Sequence, residues 1–236
     1  MESTGWNGYQ FACFFRAVFR LFKNRRDAGV RLAAKLTAYA NDPSVLVLGL
    51  PRGGVPVAYE VALALGAPLD VFVVRKLGVP GHRELAMGAI ASGGVRVLNQ
   101  EVLRTLNISS VMIDMVVAQE QIELERQHRA YRGDASFPPL TGRTVIVVDD
   151  GLATGSTMRA AVRALRQSNP ARIIVAAPVA AAETYRSLAK EADEVVCCEV
   201  PESFYAVSMW YEEFDQTSDE EVRDLLKAAD CAAPSR

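Results

Sequence analysis

Cysteine and histidine are scarce in this chain, four and two residues respectively among 236. Cys13, Cys197, Cys198 and Cys231 show no paired spacing, which argues against a disulfide framework and a zinc site and fits a reducing cytoplasm best. An excess of one charge is missing too. Lys plus Arg number 26 against 28 Asp plus Glu, a net charge of -2, so the global balance calls for neither nucleic acid nor an anionic membrane. Any anion site must therefore be built locally. No apolar run reaches the ~18 residues that a membrane span needs. No basic recognition helix, internal repeat, low-complexity tract or linker is present. Neither G-x-x-x-x-G-K-[ST] nor a G-x-G-x-x-G after the first strand occurs, which argues against kinase and dehydrogenase readings.

What remains is material for a large core: 50% of residues are apolar and 23% charged. At roughly 150 residues per domain the length corresponds to one domain with additions. Residues 1–23 are the first addition. Phe11, Phe14, Phe15, Val18, Phe19 and Phe22 recur at helical spacing, while Arg16, Arg20 and Lys23 share another face. This predicts an amphipathic extension. It lacks a basic stretch before it and two arginines interrupt it, so it does not read as a signal peptide. Packing against its own globule or a sister subunit is favoured over membrane association of residues 9–23.

From residue 24 to 236 the pattern is that of a single domain. A helical pattern over 24–41 ends before Pro43. Short apolar runs predict buried strands at 45–49, 69–74, 144–148, 172–177 and 194–198. Helices are predicted between them at 55–65, 109–132, 156–167 and 181–190, and Val95–Leu98 should pair at an edge. This alternation predicts an α/β fold, a doubly wound, mainly parallel five-stranded sheet flanked by helices. Ligands of such sheets bind beyond the carboxyl ends of the strands, where the strand order reverses.

The residues after the strands carry the chemistry. Asp149-Asp150-Gly151-Leu152-Ala153-Thr154-Gly155-Ser156-Thr157 runs from a strand end into a helix. The amides of Thr154 to Thr157, with three hydroxyls and the helix dipole, suit a phosphate. Asp149 and Asp150 would repel that phosphate, so they match sugar hydroxyls or Mg²⁺ one ribose length away. An ordinary N-capped helix with solvated acids nearby would account for either half alone. Arg52-Gly53-Gly54 follows the first strand and could admit an anion or simply make a tight connection. Arg75-Lys76 and His82-Arg83 lie in a loop with three Gly or Pro breakers, read as mobile and electropositive.

The stretch Val145 to Thr157, VIVVDDGLATGST, resembles the phosphoribosyl pyrophosphate (PRPP) motif of type I phosphoribosyltransferases over its whole length. The resemblance extends over about residues 24–228. It implies that Asp149 and Asp150 face the ribose hydroxyls and Mg²⁺-bound PRPP, and that Gly151 and Ala153 to Thr157 hold the 5'-phosphate. It assigns Arg52, Gly53 and Gly54 to the pyrophosphate loop, where a cis peptide at Pro51-Arg52 is expected. The 75–90 segment matches the family's flexible catalytic loop, with Arg75 and Lys76 as its basic pair. Val79 replaces a further lysine there, for which His82 or Arg83 would substitute.

Pro201-x-x-Phe204 is similar to the base-stacking loop of purine enzymes, implying that Phe204 and Tyr205 cover a base. Trp210 and Phe214 read as core. Residues 24–43 and 200–217 would form a hood over the sheet. The 6-oxopurine enzymes carry an acidic residue at the position of Ala153 and a lysine near Ala176-Ala177, and both are missing. The pattern is closest to members whose acceptor is not established. The resemblance implies an Mg²⁺-dependent enzyme transferring 5-phosphoribosyl from PRPP to a nitrogenous base or amine, with a homodimer expected. The competing expectation is a non-catalytic PRPP or nucleotide sensor on the same fold.

Overall fold

The computed structural model describes residues 21–133 and 135–232. In chain order the first elements are α1 (Arg25–Ala33), β1 (Val45–Gly49), α2 (Gly54–Leu65), β2 (Leu69–Val71), β3 (Val74–Val79), β4 (His82–Ala91) and β5 (Val95–Leu98). They are followed by α3 (Gln100–Thr105), α4 (Ser110–Arg132), β6 (Thr144–Val148), α5 (Ser156–Arg166), β7 (Arg172–Val179), α6 (Ala182–Leu188), β8 (Glu194–Glu199) and α7 (Asp219–Ala232).

Five strands form one parallel sheet in the order β2-β1-β6-β7-β8. Every residue of β1 and β6 is buried, as their unbroken Val/Leu/Ile runs require for strands covered on both faces. Alternate side chains go to opposite layers. Leu46, Leu48, Val145 and Val147 pack with Met158 and Leu165 of α5 and Leu188 of α6. Val45, Val47, Ile146 and Val148 meet Leu32 of α1 and Val61 and Leu65 of α2. Each such side chain contributes about 1.5–3 kcal/mol on burial. The doubly wound α/β fold is thus present. Among the described residues no helix is long and apolar enough to cross a membrane.

Several local expectations are corrected. The apolar run 69–74 is not one strand. Leu69–Val71 pairs with β1, whereas Val74 begins a separate three-stranded antiparallel sheet, β3-β4-β5. At the departure, buried Ser92 bonds Val73: its N–H donates to the Val73 carbonyl at 2.9 Å and its Oγ accepts from the Val73 N–H at 3.0 Å. Hydrophobicity cannot distinguish strands of two sheets. The segment read as a mobile loop is consequently a hairpin, turning at Pro80-Gly81. Leu77, Val79 and Met87 of that hairpin pack with Leu103, Ile113, Leu124 and Tyr131, which buries it against α3 and α4. Val95–Leu98 does pair at an edge, but of this second sheet.

The helical pattern over 24–41 stops at Ala33 and continues as a short 3-10 turn at Thr37–Tyr39. Most of the amphipathic extension lies outside the described residues. Phe22, near its end, is in a β-bridge rather than a helix: it bridges Tyr211, with the Phe22 N–H on the Trp210 carbonyl and the Glu212 N–H on the Phe22 carbonyl, both at 2.9 Å. Phe22, Trp210 and Tyr211 are buried together, with Phe204 and Phe214 packed against them. The backbone pairing with 210–213 is thus made by residues 22–23, just before the 24–43 segment expected in the hood.

Candidate functional site

The chain leaves β1 toward β2 on one side, while β6 lies on its other side, so the strand order reverses between β1 and β6. This switch point is where a parallel sheet opens a crevice at its carboxyl ends. Gly49 is in register with Val148, and the Leu50 N–H donates to the Val148 carbonyl at 2.9 Å. Two turns are thereby set side by side. One is Pro51-Arg52-Gly53, leading into α2, and the other is Asp149-Asp150-Gly151. The Pro51-Arg52 peptide is cis.

Gly53 has ordinary right-handed helical torsions, φ -61° and ψ -30°, so its backbone does not demand glycine. Space does. A Cβ built there would lie 2.0 Å from Asp150 Oδ2 and 3.3 Å from Arg25 Nε. The missing side chain makes room for the acid of the neighbouring turn.

Asp150 Oδ2 accepts from Arg25 Nε at 2.9 Å and forms an ion pair with the same guanidinium, 2.8 Å from Nη2. The guanidinium lies 3.9 Å from the Phe214 ring centroid, and its Nη1 donates to the Asp215 carbonyl. The Tyr211 hydroxyl donates to the Asp150 carbonyl at 2.6 Å, and the Asp150 N–H to Asp149 Oδ1 at 2.9 Å. Burial, reinforced by repulsion from Asp150, pushes the Asp149 carboxyl well above the usual carboxylate range. Burial also raises Asp150, an effect that Arg25 partly offsets. Such a pair favours hydroxyl donors or a cation. Among the described residues no group of three or more Asp, Glu, His or Cys side chains is assembled for a metal. The donor pair fits Mg²⁺ that takes its other ligands from substrate oxygens and water.

Beyond the acids, Gly155 adopts a left-handed φ of 65° and α5 begins at Ser156. The Thr154 and Ser156 hydroxyls stand 3.1 Å apart, and Ala153, Thr154 and Thr157 are exposed. Neighbours hold the turn through its carbonyls: the Thr184 hydroxyl donates to Ala153 and the Arg159 guanidinium to Thr154. An exposed helix N-terminus with hydroxyls on its rim can take a phosphate.

The basic residues are distributed unequally. Lys76 shares a cavity of about 530 Å³ with Ser156, Arg159 and Arg163. Its neighbour Arg75 points oppositely, as strand alternation requires, into an ion pair with Glu120 of α4 at 2.8 Å. Arg52 lies 3.7 Å from Asp219 at the start of α7. His82 is exposed and Arg83 follows it at the start of β4. Phe204 packs against the aromatic cluster, whereas Tyr205 is 74% exposed. Arg25, Tyr211 and Asp219 were not anticipated. Arginine opening a helix reads as a surface residue, and only the pairing of 22–23 with 210–213 brings Arg25 and Tyr211 to Asp150.

The family model of the phosphoribosyl transferase domain matches residues 21–212. A Mycobacterium tuberculosis protein named "putative phosphoribosyl transferase" is 48% identical over 210 residues, which is 89% of this chain and 47% of that protein. The chain thus spans about half the length of that relative. The crystal structure of TT1426 from Thermus thermophilus superposes with a TM-score of 0.77 at 41% identity, covering 87% of this chain and 97% of that one. The chain belongs to the phosphoribosyl transferase family.

Proposed function

We propose that this protein transfers the 5-phosphoribosyl group from PRPP to the nitrogen of a base or amine, releasing pyrophosphate. The observation that carries the reading is the convergence at one strand-order reversal of an acidic pair, a Gly/Ser/Thr turn opening a helix, and the Arg52 turn. In the reaction the nitrogen lone pair forms the bond to the anomeric carbon as the bond from that carbon to the pyrophosphate oxygen breaks. The bonding electrons leave with pyrophosphate, and the nitrogen loses its proton.

The anomeric carbon is oxocarbenium-like at that point. Asp149 and Asp150 hold the ribose hydroxyls, and the 154–157 turn anchors the 5'-phosphate, fixing the ring for in-line displacement. Mg²⁺, when bound, neutralises the departing pyrophosphate. Arg52 adds positive charge on the same side, and Lys76 supplies it from β3. Phe204 and Tyr205 are the residues proposed to border the base. Arg75, engaged by Glu120, is the observation that favours the sensor alternative. Pyrophosphate release measured across a panel of bases and amines separates the two: base-dependent release supports transfer, and PRPP binding without release for any acceptor supports the sensor.

A further inference from the structure

We infer that Arg25 is a positioning residue for the ribose subsite, an inference that rests on the PRPP reading above. Its guanidinium fixes Asp150 so that one carboxylate oxygen is committed to the protein and the other is presented to the ligand. Oδ2 accepts from Arg25 Nε at 2.9 Å and lies 2.8 Å from Nη2 in the same ion pair. Oδ1 takes no part in the contact with Arg25. A carboxylate rotor is thereby reduced to one orientation.

The arginine is itself immobilised. Only 13% of its side chain is exposed, the Phe214 ring covers it at 3.9 Å, and Nη1 donates to the Asp215 carbonyl. These contacts distinguish a fixed support from a gate. A gate would be held by one exchangeable contact, whereas withdrawing Arg25 would break two hydrogen-bonded contacts and a ring stack together. Gly53 adds an independent indication, since the pyrophosphate turn lacks a side chain at the point where one would strike Asp150 Oδ2. Three chain segments, α1, the 51–54 turn and the end of β6, are thus fitted to a single oxygen.

Arg25→Ala should weaken PRPP binding by about tenfold or more, the loss of a charge-assisted pair being a large effect. Binding is measured by titration calorimetry with PRPP and Mg²⁺ on the full chain. Millimolar guanidinium should restore part of the affinity in Arg25→Ala and none in Lys76→Ala, a response that general structural damage would not give. Arg25→Lys should recover only part, because an ammonium cannot reproduce the planar fork. Wild-type affinity in Arg25→Ala overturns the inference, as does a loss that neither guanidinium nor Arg25→Lys reverses in part. If the wild-type protein itself does not bind PRPP, the functional reading fails and the inference falls with it. That outcome is distinct from binding that is indifferent to Arg25.

Discussion

Gly53→Ala offers a test in which the sign of the effect depends on a single neighbour. With φ -61° and ψ -30°, this position would ordinarily gain about 0.4–1 kcal/mol from alanine, because the unfolded chain loses freedom. The structure reverses that expectation. The new Cβ would sit 2.0 Å from Asp150 Oδ2 and 2.7 Å from its Cγ, where separations under 3.0 Å are essentially never seen, so something must move by about 1 Å. The carboxylate is held by two nitrogens of Arg25, and the turn is held by the Gly54 N–H on the Leu50 carbonyl at 3.0 Å. Overpacking of this kind costs about 1–3 kcal/mol. Urea unfolding of the wild type, Gly53→Ala, Asp150→Ala and the double variant closes a double-mutant cycle. Gly53→Ala should destabilise the wild type by about 1–3 kcal/mol and become neutral or stabilising when Asp150 is already alanine. An equal cost in both backgrounds, or no cost in the first, would refute the claim that the glycine exists to seat Asp150.

Asp149→Asn should raise stability at neutral pH while abolishing PRPP binding. Its folded pKa is raised, so its contribution is full below the unfolded carboxylate value near 4 and is lost as pH rises through the folded value. Each pH unit of that window is worth about 1.4 kcal/mol. Urea midpoints across the window should show the variant gaining on the wild type as pH rises, and a variant less stable throughout would contradict this. Tyr211→Phe leaves the Asp150 carbonyl without its 2.6 Å donor and should cost about 1–3 kcal/mol, read as a lower thermal midpoint. An unchanged midpoint would show that the hydroxyl is replaceable. Lys76→Ala should impair pyrophosphate release more than Arg75→Ala, since Lys76 shares a cavity with Ser156 and Arg75 is engaged by Glu120. The reverse ranking would mean that the hairpin rearranges on ligand binding.

The sheet was legible because its strands announce themselves. β1 and β6 are short runs dominated by Val, Leu and Ile and buried on both faces, a pattern that fits a central parallel strand and, at five residues, is too short for a helix. The acidic pair and the turn after it were legible for the same reason, since a strand end and a helix start fix where the intervening residues point. The 69–98 region was not. Its apolar residues serve two sheets, and the change of partner falls between Phe72, bonded to Gly49, and Val73, bonded to Ser92, which leaves no trace in hydrophobic periodicity. Helix α7 was missed although Ser218 accepts from the Glu221 N–H and three acids occupy its first turn, because only Val222 and Ala229 are buried along it. Arg25 was illegible on other grounds. Its partner Asp150 is 125 positions away, and a charged residue opening a helix carries no sign of burial.

Transfer of a phosphoribosyl group in the β1–β6 crevice is tested most directly by pyrophosphate release from PRPP and Mg²⁺ across a panel of bases and amines, using the wild type and Asp149→Asn with Asp150→Asn. Release that depends on one acceptor and disappears in the folded double variant is the predicted result. Release that persists at the wild-type rate in that variant would contradict the claim, as would its absence with every acceptor.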